Sequence, residues 1–367
     1  MKDLLIVIQF VRRGGVENVA INYGLHLDRK LYNVSFMCVG VDETQDEAYK
    51  ASILSGGYRV YEIPADINSR TDKYRYLNRF FAEHHFDIVH SHTIFFSALV
   101  LKAAKNNGIP VRVAHSHVMM WNHDETLPYK LYKNSMKLLL NRVANRKLAC
   151  TQKAGEFLYG KREYAKHGIF VPNGIDTTKF AFNAAARRDI RREFGIAEDV
   201  PVVGHIGTVY EIKNQTFLTE IFAHLLKTHP DARLLLVGER ADDEPVLKKI
   251  EALKLSDSVM LTGSRADVDR FYSAFDIMIF PSLHEALPVS LIEAQASGLP
   301  CLISDAVTTE VKFNENVDFL SLQEPPAVWA EKAETLLKID RSTIHTEALV
   351  NEYDIHNVVQ KLNTIYR

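Results

Sequence analysis

From Phe280 to Pro300 the chain reads Phe-Pro-Ser-Leu-His-Glu-Ala-Leu-Pro-Val-Ser-Leu-Ile-Glu-Ala-Gln-Ala-Ser-Gly-Leu-Pro, which sets two carboxylates, Glu285 and Glu293, on either side of a helix start. An apolar strand ends at Pro281, a loop offers His284 and Glu285, and Pro288 stands where a proline can begin a helix without losing a hydrogen bond. The helix is expected to run to Gly298. Its first turn presents unpaired N–H groups at the positive end of the helix dipole, a physical site for an anion such as a diphosphate. Glu293, inside the helix, can accept a pair of hydrogen bonds from vicinal hydroxyls such as those of a ribose. By spacing alone the same residues also describe a capped surface helix with two solvated glutamates.

Lys213 follows a strand-end glycine, Gly207, and is expected to open a helix; an ammonium beside a leaving diphosphate stabilises charge that grows in the transition state. Gly14 and Gly15 after the first apolar run allow a ligand to approach the backbone closely, although the full GxGxxG fingerprint is absent. His90, His92, His115 and His117 fall at the ends of two predicted strands. His117 can donate to a sugar hydroxyl or assist proton traffic. A metal cluster among these histidines is conceivable, but no nearby carboxylate or cysteine completes it, and sugar contact is the preferred reading.

The elements that must position these groups are those of a parallel α/β protein, because short apolar runs alternate with helix-length amphipathic stretches along the whole chain. Candidate strands in the first half are Leu4–Phe10, Val34–Val39, Val60–Ile63, Ile88–His90, Val111–Ala114 and Lys147–Cys150, with helices such as Val16–Leu27 and Lys73–His84 between them. In the second half they are Val202–Ile206, Arg233–Val237, Val259–Leu261, Ile277–Phe280 and Cys301–Ile303. The turn Val171-Pro172-Asn173-Gly174-Ile175-Asp176, followed by a polar stretch that reads as a linker, separates the two series. Two such sheets suggest a ligand held in a cleft between them.

At 367 residues the chain is longer than one core usually holds, and its 47% hydrophobic and 25% charged residues are those of an ordinary globular protein. A formal net charge of −2 gives no reason to expect nucleic acid. Cys38, Cys150 and Cys301 are odd in number and widely spaced, which fits a reducing cytosol rather than a disulfide framework or zinc site. The opening apolar run of about seven residues is too short for a signal-peptide core or a bilayer span.

The Glu285/Glu293 pattern, with Ala-Leu-Pro in the loop and Glu-Ala-Gln-Ala-Ser-Gly-Leu-Pro after it, resembles the donor-binding motif of family 4 retaining glycosyltransferases. The resemblance extends over the chain through Gly14-Gly15-Val16-Glu17, Asp87-Ile88-Val89-His90-Ser91-His92, Ala114-His115-Ser116-His117, Val171 to Asp176, Gly207 to Asn214, and Gly263-Ser264-Arg265. It implies a GT-B fold of two Rossmann-like domains with a cleft between them. The first would be an acceptor-binding domain over 1–176, joined by a C-terminal helix 355–367, and the second a donor-binding domain over 177–354. It implies transfer of a hexose or N-acetylhexosamine, with retention, from a nucleoside diphosphate to an acceptor hydroxyl; UDP-sugars are the usual donors and polyprenyl-diphosphate glycans the usual acceptors of similar capsule and exopolysaccharide enzymes.

The same resemblance assigns Lys213 to the donor diphosphate, Glu285 and His117 to the sugar and reaction centre, and Glu293 to the ribose. Gly14, Gly15 and the segment Ala286, Leu287, Pro288, Val289 and Ser290 would face the donor. An arginine usually follows the strand-end glycine in this family, but here the residue is Thr208, and Arg265 or Arg240 could substitute for it. Asp267-Val268-Asp269 looks like the metal motif of the GT-A fold, yet it heads a short helix, where Asp267 is expected to act as N-cap. No metal or other cofactor is expected, the UDP-sugar being a substrate. Domain closure would exclude water and limit hydrolysis of the donor.

The stretch 126–170 carries ten Lys or Arg against Glu156 and Glu163, interleaved with Tyr129, Leu131, Tyr132, Met136 and Leu138 to Leu140. It describes either a core helix with a solvated basic face or a docking surface for an anionic membrane, which would put a cytoplasmic protein on the inner face of the plasma membrane. Two rival functions share the architecture: a UDP-sugar 2-epimerase, and a non-catalytic nucleotide-sugar binding protein, which Thr208 keeps open.

Overall fold

The computed structural model describes residues 1–12, 15–40, 46–118, 126–285 and 287–367. It divides into two compact units, Met1–Ile175 with Ile355–Arg367, and Asp176–Asp354.

The first unit is built on a seven-stranded parallel sheet of β1 (Lys2–Ile8), β2 (Tyr32–Cys38), β3 (Arg59–Glu62), β4 (Ile88–Ser91), β5 (Val111–Ser116), β6 (Arg146–Ala149) and β7 (Gly168–Phe170), in the order β3-β2-β1-β4-β5-β6-β7. Leu4 to Val7 of β1 are fully buried because helices cover both faces, so the strand reads as a continuous apolar run and not an alternating one. The C-terminal helix Ile355–Ile365 belongs to this unit. Its start is tied by the Ile355 N–H to the Ile175 carbonyl at 2.8 Å, and its end by the Lys2 ammonium to the Tyr366 carbonyl at 2.9 Å.

The second unit holds a six-stranded parallel sheet of β8 (Val202–Ile206), β9 (Arg233–Val237), β10 (Val259–Gly263), β11 (Ile277–Phe280), β12 (Cys301–Ser304) and β13 (Val317–Leu320), in the order β10-β9-β8-β11-β12-β13. Trp329, fully buried on the helix Pro326–Leu336, packs in its core with Phe222 and Leu302. In each sheet the strand order reverses at one place, between β1 and β4 and between β8 and β11. There the loops leaving neighbouring strands diverge and a crevice opens at their carboxyl ends.

The parallel α/β class and most strands agree with the sequence reading, and three local expectations are corrected. β7 and β13 were not anticipated, being only three and four residues long, Gly-Ile-Phe and Val-Asp-Phe-Leu, too short for an apolar run to stand out. The polar stretch read as a linker is helical over Thr177–Phe180 and Ala184–Glu193; Asp176 and Asn183 cap the two starts, and Ala186 and Ile190 are buried. The segment after Pro281 forms only two helical turns, Val289–Ala296, with Pro288 outside the first turn and Gly298 at φ +66°, a left-handed conformation that ends it.

Candidate functional site

In the second unit, three loops at the carboxyl ends of β8, β9 and β10 are laced together. The Gly207 N–H donates to the Val237 carbonyl at 2.9 Å, Val209 N–H to Glu239 at 2.7 Å, and Gly238 N–H to Gly263 at 3.0 Å. A Cβ at Gly238 would stand 2.2 Å from the Gly207 carbonyl oxygen, so this approach requires glycine.

Beyond Gly207 the chain makes a 3-10 turn over Glu211–Lys213 and then enters the helix Gln215–Leu225 through Asn214, which is left-handed at φ 55°. Lys213 therefore closes a turn before a helix instead of opening the helix itself. The Leu283 N–H donates to the Ile212 carbonyl at 2.8 Å and the Asn214 amide to the Pro281 carbonyl at 3.1 Å, fastening this turn to the loop after β11. The Lys213 ammonium thereby lies 2.5 Å from Glu285 Oε1 and 5.1 Å from the Phe280 ring centre. Both charged side chains are largely buried, at 14% and 17% exposure, so Glu285 is not one of the two solvated glutamates that spacing alone allowed.

The helix Val289–Ala296 begins beside Glu285, and no side chain caps its first turn. Leu287 and Pro288 are buried ahead of it, while Val289 and Ser290 are part-exposed; Ala286 lies outside the described residues. One turn along, Glu293 accepts a 2.6 Å hydrogen bond from the Tyr272 hydroxyl. Burial raises its carboxyl to about 7, against the lowering effects of Tyr272 and of Lys179. His205, stacked on Phe280 with ring centres 5.2 Å apart, is held neutral: burial first, then the charge of Lys213, lower it to about 3.

The cations considered as substitutes at Thr208 are engaged elsewhere. Arg265 pairs with Glu193 at 2.7 Å and Asp267 at 2.9 Å and stacks on Phe271, and Arg240 pairs with Asp243. The Thr208 carbonyl accepts from Gln215 at 3.0 Å. Asp267 stands at the start of the helix Val268–Ala274 without capping it, because its carboxylate is committed to Arg265, with Arg270 3.7 Å away.

In the first unit, the carboxyl ends of β1, β4 and β5 open on a cavity of about 650 Å³ that Gly15, His92 and His117 line. Gly15, at φ +65°, starts the helix Gly15–His26; Gly14 lies outside the described residues. His117 follows β5 and is held at both ring nitrogens: Nδ1 is 2.7 Å from Asn173 Oδ1, and Nε2 is 2.8 Å from His92 Nδ1. An imidazole that donates to Asn173 and accepts from His92 is neutral, and burial lowers its pKa to about 4. Sugar contact by His117 therefore requires exchange of the His92 bond. The turn residue Asn173, read from sequence as part of a hinge, is thus the partner that orients His117; its place in the Val171 to Asp176 motif was the signal available.

His90 and His115 lie one layer deeper. The Tyr366 hydroxyl is 2.7 Å from His90 Nδ1, and His115 Nε2 is 3.3 Å from the Val171 carbonyl. His90, His92 and His115 each offer a ring nitrogen within 4.8 Å of the others' and are the group among the described residues that could take a metal ion; His90 Nε2, His92 Nε2 and His115 Nδ1 have no hydrogen-bond partner. No carboxylate or thiolate joins this group to offset a divalent charge.

The basic stretch contributes the helix Leu127–Val143, of which only Leu140 and Val143 are buried. Tyr132, Met136 and Leu139 pack with them against the core, so one face of the helix covers the core, while Leu127, Leu131 and Leu138 on the outer side are 71%, 63% and 62% exposed. Among the described residues no helix is long and apolar enough to cross a membrane. Cys38, Cys150 and Cys301 are buried free thiols.

A family model described as Glycosyltransferase Family 4 matches residues 13–179, and one described as Glycosyl transferases group 1 matches residues 186–351. EpsF of Bacillus subtilis (strain 168), whose name assigns it to the glycosyltransferases, is 34% identical over 334 residues, covering 90% of this chain and 86% of its own. The UDP-Gal:alpha-D-GlcNAc-diphosphoundecaprenol alpha-1,3-galactosyltransferase of Escherichia coli is 24% identical over 301 residues, covering 79% and 76%. Among solved structures, Anabaena HepE in complex with UDP-glucose matches with a TM-score of 0.81 at 18% identity over 99% of each chain. WaaG, a glycosyltransferase involved in lipopolysaccharide biosynthesis, matches at 0.72 and 14% identity, also over 99% of each. At such identities these two carry the fold alone, which is GT-B. The matches give the epimerase alternative no support. The chain belongs to glycosyltransferase family 4 and is a glycosyl-transferring enzyme.

Proposed function

We propose that the enzyme transfers a hexose or N-acetylhexosamine, with retention of configuration, from a UDP-sugar to a hydroxyl of a lipid-linked glycan during assembly of a capsular or exopolysaccharide. The observation that carries this reading is the buried Lys213–Glu285 pair beside the uncapped start of Val289–Ala296, at the place where the β8/β11 strand order reverses. A diphosphate seated there meets the ammonium and the first-turn N–H groups. Glu285 is then released to hydrogen-bond sugar hydroxyls, and Glu293 accepts from the ribose.

Retention follows without a nucleophile from the protein. The bond from the anomeric carbon to the diphosphate oxygen breaks, the acceptor oxygen bonds on the same face, and its proton passes to the departing diphosphate. The enzyme supplies charge stabilisation at Lys213 and positioning, and no metal ion. His117, fixed by Asn173, is assigned to the sugar and reaction centre. The second unit carries the donor and the first the acceptor.

The HepE structures with UDP and UDP-glucose and the diphosphoundecaprenol acceptor named for the Escherichia coli relative support the donor and acceptor classes. The exposed Leu127, Leu131 and Leu138, with Lys130 and Arg142 exposed on the same helix, support a peripheral position on an anionic cytoplasmic membrane face. A thermal-shift screen of UDP-, GDP- and ADP-sugars tests the donor: UDP-sugars raise Tm, and a flat response to all three removes the assignment.

Thr208 favours a second reading, a protein that binds donor without turnover. It predicts a UDP-sugar shift with neither transfer nor donor hydrolysis.

A further inference from the structure

The 650 Å³ cavity of the first unit has a composition that points to the acceptor's chemistry. Arg12, Arg70 and Lys73 line it, and Glu17 is the one carboxylate among the described residues that line it. Arg12 Nε is 3.5 Å from Glu17 Oε2, which accounts for one of the three cations. Among the described residues Arg70 and Lys73 have no carboxylate partner. The Arg70 guanidinium lies 4.2 Å from the centre of the Tyr132 ring, and the Lys73 ammonium donates to the Val39 carbonyl at 2.7 Å.

Both residues also stand in the first turn of the helix Arg70–Glu83, where the dipole disfavours cations. Burial lowers the pKa of Lys73, so its charged form is held against desolvation as well. Two positive charges kept in such a place, with no carboxylate partner among the described residues, suit an anion brought in from outside. An aromatic part of the wall, Phe10, Phe96, Tyr129 and Tyr132, borders the same space.

We propose that this cavity holds the acceptor by a phosphate or diphosphate group set between Arg12, Arg70 and Lys73, with the apolar chain it carries lying against the aromatic wall. The inference rests on the assignment of the acceptor to the first unit. Charge-assisted bonds from a guanidinium and an ammonium give affinity, and stacking on Tyr132 keeps the Arg70 fork in one plane for a two-point contact with phosphate oxygens. The aromatic faces suit an isoprenoid chain.

The test is calorimetric titration of the full chain, presaturated with UDP so that the donor site is filled. The probes are farnesyl diphosphate, inorganic pyrophosphate and farnesol, and the comparison protein is Arg70→Gln/Lys73→Gln. Farnesyl diphosphate is expected to bind the wild type more tightly than either fragment, and the double substitution to weaken it tenfold or more while leaving farnesol unchanged. Arg70→Lys should recover part of the loss. Equal affinity for pyrophosphate and farnesyl diphosphate would mean a free-phosphate site and overturn the proposal, as would wild-type affinity in the double variant. If UDP itself fails to bind while the variant still loses farnesyl diphosphate, it is the donor assignment that has failed, and the cavity assignment stands.

Discussion

Lys213 and Glu285, 72 positions apart in sequence, meet at 2.5 Å because the Leu283 N–H to Ile212 carbonyl bond fastens their two loops together. Each largely buried charge offsets the other, so the site is held ready without an isolated ion in a poorly solvated place. A donor that brings its own anion replaces Glu285 as partner of the ammonium and sets the carboxylate free.

Removing the ammonium of this pair should therefore lower both binding and turnover, whereas removing the carboxylate should separate the two. Lys213→Ala is expected to lower kcat/KM for the UDP-sugar about 10²- to 10³-fold and to weaken UDP. Glu285→Gln leaves an unneutralised ammonium: UDP affinity should stay level or rise, while transfer falls tenfold or more. Calorimetry with UDP and initial-rate kinetics check the two readouts; a Glu285→Gln protein that binds UDP more weakly would count against the exchange of partners.

Donor affinity should depend on pH through Glu293. Its carboxyl titrates at about 7 in the folded protein, and a carboxylate is the form that accepts from ribose hydroxyls. UDP affinity is therefore expected to fall as pH drops through 7, approaching tenfold per unit below it, and Glu293→Gln should give a weak, flat profile.

The linked effect on stability has the opposite direction. The folded pKa of this acid lies above its ordinary value of 4.5, so the native state binds the proton more tightly, and stability from this group falls as pH rises from about 4.5 to about 7. The Tm of Glu293→Gln without ligand should change less over that window than the wild type.

The buried histidines act in the other sense. Burial lowers His90, His92 and His115 well below 6.5, His117 to about 4 and His205 to about 3. The unfolded chain binds more protons than the native one just below pH 6.5, so their contribution is lost as pH falls through that range. Histidine NMR shifts should show His117 neutral at pH 5.5. Asn173→Ala is expected to reduce kcat about tenfold with UDP affinity unchanged, by freeing the ring; equal loss of both would make Asn173 merely structural.

The exposed Leu127, Leu131 and Leu138 predict sedimentation with anionic vesicles and not with neutral ones. Leu131→Glu/Leu138→Glu should abolish it. Equal recovery with both vesicle types, or none with either, rules out the surface.

Introducing the missing cation provides a test in the direction of gain. Thr208→Arg places a guanidinium on the loop that already carries Lys213, and it should tighten UDP-sugar binding and raise turnover several-fold, read by the same kinetics.

The residues by themselves determined the parallel α/β class, since Val202–Ile206, Arg233–Val237 and Ile277–Phe280 are apolar runs whose ends read directly from composition. They also supplied the chemistry of the donor motif, because Glu285, Glu293 and the helix start are local features in one segment. Helix Ala184–Glu193 was hidden by its polarity, for only two small apolar positions of ten face the core. What the tertiary structure alone decided was partnership. That Lys213 answers Glu285, that Arg265 is spent on Glu193 and Asp267, that Asn173 and not solvent orients His117, and that Tyr272 sits on Glu293 all depend on loops from separate strands converging at a sheet edge. Sequence spacing carries the identity of a charge, but its burial and its neighbour set its ionisation and its availability, and both are properties of the packed chain.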